Sequence, residues 1–290
     1  MFYFLTVLFL TLLHVSILSF ISVIRYSLIM DNYFFKFYKS IFINVIKKNQ
    51  TLYKSYFHKH KNQKYSSLIL DEIFYVLKTG IPWRLIRSPI KWQTLYFHFR
   101  RFSKFNIFKK VFYSIRNNFI KISNPSFTIV DSTFIQNKFG KNKIGRNKFF
   151  KNKNCNKISL ITDDKGIPIS ISVNKGNIHD IKFIDHHIKD FFILTNYKKI
   201  LLADKAYYSD KLRKTLLDKN VSLYVQNKKN SNKFPKVDSH ILRKRIVIEN
   251  TFQRIKVFRR IMTRYDCLFS NYLSFVYFGF SLLFNNGLKK

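Results

Sequence analysis

Apolar side chains recur along this chain first at one period and then at another. Between about Ser66 and Ile120 the spacing is helical: Leu68, Ile69, Ile73, Phe74 and Leu77 share a face, and Lys78-Thr79-Gly80 closes that helix with a C-terminal glycine. Ile81-Pro82-Trp83-Arg84 reads as a turn. A second helix, mixing aromatics with Arg100, Arg101 and Lys104, begins at Lys91. After Asn124-Pro125 the pattern becomes that of strands. Phe127 to Val130 predicts a short buried strand ending at Asp131, and Lys199 to Ala203 an apolar strand ending at Asp204. Between them, Ile158–Ile161 and Ile167–Val173 flank Asp163-Asp164-Lys165-Gly166 as a hairpin, and a helix runs from Ile181 to about Phe192. A helix over Ser209 to Asp218, a strand over Val221 to Val225, and a basic helix from Arg243 to Ile261 complete the alternation. In the last, Ile248, Phe252, Ile255 and Phe258 form the apolar stripe, and Arg245, Glu249 and Lys256 share the neighbouring face.

Three strands followed by alternating helices and strands predict an α/β fold. The order matches a mixed sheet flanked by helices, of the RNase H-like kind, preceded by a small all-α unit. Helix, turn and basic helix within 30–122 is also the layout of a small DNA-binding module, against the plainer reading of a helical bundle with a wet basic face. The stretch from Gln136 to Lys157, crowded with Lys, Asn and Gly, reads as a flexible basic loop. Residues 268–288 are aromatic-rich, but Asn271, Ser274 and Ser281 interrupt them, which favours a docked core helix over a membrane span.

Residues 1–24 carry no Asp, Glu, Lys or Arg and are long enough to span a bilayer. Two readings are open for this leader (1–29). It is a hydrophobic helix, or it lies upstream of a soluble-looking basic sequence that starts at Met30. The expected location is the cytoplasm, associated with the nucleoid, and a membrane only if 1–24 is a genuine span.

Composition adds a partner. The 53 Lys and Arg stand against 15 acids, a net charge of +38, which calls for a polyanion, most simply nucleic acid. Lys, Asn, Ile, Phe and Tyr all have A/T-built codons, so base composition inflates Lys, but it does not explain the scarcity of acids. Cys155 and Cys267 lie far apart with no metal-ligand spacing, which excludes a disulfide framework and a zinc site of the usual kind.

Against that basic background, acids placed at strand ends stand out. Asp131 and Asp204 each leave an apolar strand, and sites in open α/β sheets form at such carboxyl ends. If the two strands are neighbours, both carboxylates emerge at one edge and Glu249 can join them from its helix. Three converging acids need a cation, and hard oxygen ligands suit Mg²⁺ or Mn²⁺, with two ions able to drive an in-line displacement at phosphorus. The plain alternative is that lone aspartates at strand ends are turn residues. His179 has a similar pair of readings: an accessory group at the metal edge, or a cap of the helix that follows.

These blocks resemble a known family. Ile129-Val130-Asp131-Ser132-Thr133, Ala203-Asp204-Lys205-Ala206-Tyr207 and Glu249-Asn250-Thr251-Phe252 are similar to the three catalytic blocks of DDE transposases, in particular the bacterial insertion-sequence enzymes of the IS-four and IS-five superfamily, IS-five-like group. Arg245, Glu249 and Lys256 match that group's Arg, Glu, Lys signature in spacing. Leu77 to Arg84, Lys91-Trp92-Gln93-Thr94 and Gly176-Asn177-Ile178-His179-Asp180 resemble further shared segments, so the likeness runs from about residue 65 to 284.

The resemblance implies a helical N-terminal DNA-binding domain over 30–122 and a catalytic domain over 123–290. It implies metal-dependent cleavage of double-stranded DNA at the ends of an insertion sequence, then strand transfer into target DNA. Asp131, Asp204 and Glu249 would be the catalytic, metal-holding acids, with two Mg²⁺ or Mn²⁺ ions. Arg245, Lys256, Arg259, Arg260, Arg100, Arg101, Arg146 and Lys148 are the expected DNA contacts. The enzyme would act as a homodimer in the synaptic complex, with no small-molecule substrate. Leu242 stands where the signature has Tyr, Ala206 where Gly is usual, and the leader has no counterpart. A catalytically inactive or repurposed DNA-binding protein on the same scaffold is the alternative.

Overall fold

The strand at Thr128–Asn137 (β1) is the axis around which the sheet is assembled. A computed structural model describes residues 34–57, 63–120, 125–192, 199–225 and 239–287, and groups the chain into two compact units, 1–40 and 41–290. In the first unit the described residues, 34–40, are the start of a helix (α1, 34–47), and the hydrophobic leader lies outside them.

In the second unit, β2 (Gly145–Asn147), β3 (Lys153–Asp163), β4 (Pro168–Lys175), β5 (Lys199–Ala203), β6 (Val221–Val225) and β7 (Thr263–Arg264) join β1 in one seven-stranded sheet. Antiparallel β3 covers one edge of β1 from Thr128↔Asp163 to Gln136↔Cys155. The outer edge of β3 pairs with β4 and, further along, with β2. On the other side β5 runs parallel to β1, and β6 parallel to β5. Reading across, β4-β3-β1-β5-β6, with only β3 reversed, is the strand order and direction of the RNase H-like sheet.

β1 is longer than its apolar run. Residues 136–157, read as a loop, contain the end of β1, β2, a 3₁₀ turn at Lys148–Phe150 and the start of β3. Long-range bonds hold this stretch. The buried Arg264 guanidinium donates to the Asn142 carbonyl at 2.8 Å and to Asn156 Oδ1 at 3.1 Å, and its Nε donates to the Asp266 carbonyl at 3.0 Å.

The helices are α2 (Gln50–Phe57), α3 (Gln63–Thr79), α4 (Trp92–Lys104), α5 (Ile107–Ile120), α6 (Ile184–Phe192), α7 (Asp210–Leu217), α8 (Ser239–Arg243), α9 (Ile246–Lys256), α10 (Arg259–Met262) and α11 (Phe269–Leu282). Helix α3 stops where Gly80 adopts φ +71°, the left-handed conformation a C-terminal glycine supplies. Ser209 caps α7 by accepting from the Leu212 amide. The basic helix expected over Arg243–Ile261 is two short helices, α9 and α10, rather than one, and α8 ends at Arg243, the expected start of that helix. Ile248 and Ile255 are fully buried and Phe252 nearly so.

Two cores result. Val130, Ile161, Leu201, Val221 and Leu223 fill the sheet core with Leu212 and Leu216 of α7. The second is aromatic. Helix α11 is buried on nearly every side and packs against α4 and α5, Phe275 stacking on Phe99 at 4.4 Å and Phe278 on Phe108 at 5.2 Å. Each such ring contributes about 1.5–3 kcal/mol through burial. Among the described residues no helix is long and apolar enough to cross a membrane.

Candidate active site

Asp131 and Asp204 are brought side by side by a short strand ladder that then opens. β1 and β5 pair only at Thr128↔Leu201 and Ile129↔Leu202. Two residues further, the same register sets Asp131 across from Asp204, just where β5 ends and the strands separate. Matched positions on neighbouring parallel strands put both side chains on the same face of the sheet. Asp131 therefore lies within β1 rather than at its end, while Asp204 follows β5 directly.

A cation lies between the two. Arg245, the residue before α9, donates from Nη2 to Asp131 Oδ2 at 3.2 Å and from Nη1 to Asp204 Oδ1 at 3.3 Å. The Asp131 carboxylate also accepts the Ser132 backbone N–H at 2.8 Å. Burial raises its pKa; the Ser132 amide and Arg245 pull it back down, Asp204 pushes it up, and the net result is upward. Asp204 opens the 3₁₀ turn Lys205–Tyr207 but makes no side-chain cap bond there, which leaves its oxygens free for Arg245.

Glu249 is in the first turn of α9, four residues after Arg245, and is exposed. Among the described residues, no three His, Cys, Asp or Glu side chains come together closely enough to hold a metal ion. The structure thus joins two of the three expected acids and leaves the third on the adjoining helix.

A further acid belongs to this neighbourhood. Asp180 Oδ1 accepts from the hydroxyl of Ser132, the residue after Asp131, and from the nearly buried Lys157 ammonium at 3.2 Å. Lys157 also donates to the Ile178 carbonyl at 2.9 Å. The signal for Asp180 is its place in the Gly176–Asp180 segment; its partners, 23 and 48 residues away, are not readable from that segment. His179 caps the turn at Asp180–Phe183, its Nδ1 accepting from the Ile181 amide.

Helix α9 is fastened to the hairpin beyond β3. Gly166, at φ +80°, offers its carbonyl to Thr251 Oγ1 at 3.0 Å and to Arg254 Nη2 at 3.2 Å. That clamp fixes the helix carrying Glu249 against the sheet.

The expected DNA contacts separate into exposed and occupied groups. Arg100, Arg146, Lys148 and Arg259 are exposed, while Arg101 is partly so. Lys256 is half-buried, and burial lowers its pKa. Arg260 departs from expectation: it is 6% exposed and donates to both oxygens of buried Asp266 at 3.1 Å, so its charge is internal rather than presented to a partner.

The family model described as the transposase DDE domain matches residues 122–276, more than half of the chain and the whole span holding Asp131, Asp204 and Glu249. The chain belongs to the DDE transposase family. A search of curated proteins gives no significant match. Of the solved structures, the DDE chain is similar to the piggyBac transposase in its synaptic complex with hairpin DNA, at 12% identity and TM-score 0.47, over 87% of this chain and 64% of that one. It is also similar to the transposase of the Mos1 strand transfer complex, at 11% identity and TM-score 0.27, over 86% of this chain and 77% of that one. The DDE chain thus spans under two thirds of the piggyBac chain it matches.

Asp131 and Asp204 supply hard oxygen donors of the kind a divalent cation takes, while Glu249 stands apart from them. Two carboxylates lie side by side, and a guanidinium already stands where positive charge is needed.

Proposed function

We propose that this chain is an insertion-sequence transposase that cleaves double-stranded DNA at the ends of its element and joins them to target DNA. The observation that carries the reading is the pairing of Asp131 with Asp204 at the opening of the sheet, with one cation shared between them. Asp131 and Asp204 would hold Mg²⁺ or Mn²⁺, with Glu249 completing the set from α9. Held by these carboxylates, two such ions would supply activation of a water or 3′-hydroxyl and stabilisation of the leaving oxygen. The chain's own part is to keep the carboxylates in register and to bring bases to the DNA backbone. Arg259 and Lys256 follow Glu249 along the same segment, and a net charge of +38 favours phosphate contact throughout. The motif spacing supports membership of the IS-five-like group, and action at two DNA ends supports a homodimer in the synaptic complex. Residues 30–122 would supply further DNA contacts through Arg100 and Arg101.

The test is nicking of an end-bearing duplex by the purified full chain in Mg²⁺. Asp131→Asn abolishes nicking and retains DNA binding; unchanged nicking in that variant overturns the assignment. A second reading, a DNA-binding protein that no longer cuts, is favoured by one observation: among the described residues, exposed Glu249 joins no group of three acids or other ligating side chains that could hold a metal. Binding without nicking in the unmodified chain decides for it.

A further inference from the structure

A groove of about 1520 Å³ runs between α4 and the segment 265–271. It is larger than the roughly 300–1,000 Å³ of most small-ligand pockets, as a polymer would require. Its rim is cationic: Arg84, Arg100, Arg101 and Lys104 all line it. Its one acid, Asp266, is buried and already neutralised by Arg260. Its walls are aromatic. Arg84 lies over Trp92 at 5.6 Å and Arg101 over Phe97 at 5.5 Å, and Phe97 and Phe139 are more than half exposed.

The groove also contains unspent polar atoms. Trp83 Nε1, Ser103 Oγ and the Asn271 side-chain oxygen are buried without a hydrogen-bond partner among the described residues, and all three residues line the groove. Their residues are 8%, 3% and 2% exposed. Buried polar atoms are nearly always paired, so three orphans in one floor are a concentration that calls for a ligand. An indole donor, a hydroxyl able to do either, and an amide acceptor match the mixed donor and acceptor edge of a nucleobase.

We propose that this groove holds an unstacked nucleotide of a DNA strand. The base would lie against the aromatic walls with its edge to Trp83, Ser103 and Asn271, and its phosphates would face the arginines. Fully paired duplex has no free base face to offer, whereas unpaired strands are bound by aromatic faces and basic grooves acting together. The site is separate from the Asp131–Asp204 pair. The segment follows β7, which meets β1 at Gln136–Asn137, five residues beyond Asp131 or roughly 17 Å along the strand. That is about five base pairs of B-form DNA.

The proposal rests on DNA being the ligand, but not on cleavage, and its test is run in EDTA. Anisotropy measures binding of the full chain to a blunt duplex and to the same duplex with a three-nucleotide overhang carrying 2-aminopurine. The expected result is tighter binding of the overhang, with 2-aminopurine quenched. Phe97→Ala should lose on the order of tenfold in affinity for the overhang, recover the fluorescence, and leave blunt-duplex binding within about twofold. Arg101→Ala should weaken both probes and lower the salt slope by about one. Equal losses on both probes in Phe97→Ala, or no loss with the fluorescence still quenched, would overturn the nucleotide site. Asp131→Asn nicking is scored separately, so failure of the catalytic reading cannot be mistaken for failure of this one.

Discussion

Arg245 and Asp131, 114 residues apart in the chain, meet at 3.2 Å in the opening between β1 and β5. The same guanidinium holds Asp204, so one side chain bridges the two carboxylates proposed to bind metal. It competes with any divalent ion for those oxygens.

Arg245→Ala is therefore expected to bind Mn²⁺ more tightly than the parent, by several-fold, as read by titration calorimetry. Without metal the variant should melt lower, because Asp131 and Asp204 then face each other unrelieved. Added Mn²⁺ should restore more stability to the variant than to the parent. Weaker Mn²⁺ binding in the variant would place the ion elsewhere.

Asp163 should give the chain a distinct pH dependence. It is 3% exposed, and burial pushes its pKa up to about 6 despite bonds accepted from the Ile167 and Lys165 amides. An acid with a raised folded pKa is no burden below about pH 4, where it is protonated in both states. Its cost grows as pH rises from about 4 to about 6 and is constant above that, at about 3 kcal/mol. Asp163→Asn keeps an oxygen for both amides and should be more stable than the parent at pH 7 but not at pH 4. His187 has the opposite sign. It is buried between Ser159 and Ser170 with its pKa lowered to about 3, so its contribution is lost as pH falls below about 6.5. Subtracting the parent's denaturation curve from the variant's isolates Asp163.

Asp266 should matter to folding rather than to DNA. Asp266→Ala leaves the Arg260 guanidinium buried and unpaired, at an expected cost of about 3–5 kcal/mol in chemical denaturation. Replacing both with apolar residues of similar volume should cost far less. A mild loss in Asp266→Ala would show that Arg260 escapes to solvent.

The sheet core was legible because its strands are apolar runs bounded by turn residues, as at Lys199–Ala203 and Val221–Val225. The Asp131–Asp204 neighbourhood was legible for the same reason: both acids adjoin such runs. Residues 136–157 were not, since Lys and Asn give no strand pattern, and the pairing there depends on Arg264, more than a hundred residues away. The break after Lys256 has no signal in the sequence, because Phe258 continues the apolar stripe of Ile248, Phe252 and Ile255. Arg260 looked like its exposed neighbours; only Asp266, six residues on, reveals that its charge is consumed. Arg245 was expected to contact DNA, and nothing local signals that it bridges two acids.

The brevity of the β1–β5 ladder sets the mechanics of the opening. Two residue pairs anchor the strands at Thr128–Ile129, and beyond them no backbone rung ties Asp131 to Asp204. The aperture between the carboxylates is therefore governed by whatever charge sits in it. Swapping a broad, flat guanidinium for a small spherical ion would draw the jaws together without breaking a rung of the sheet.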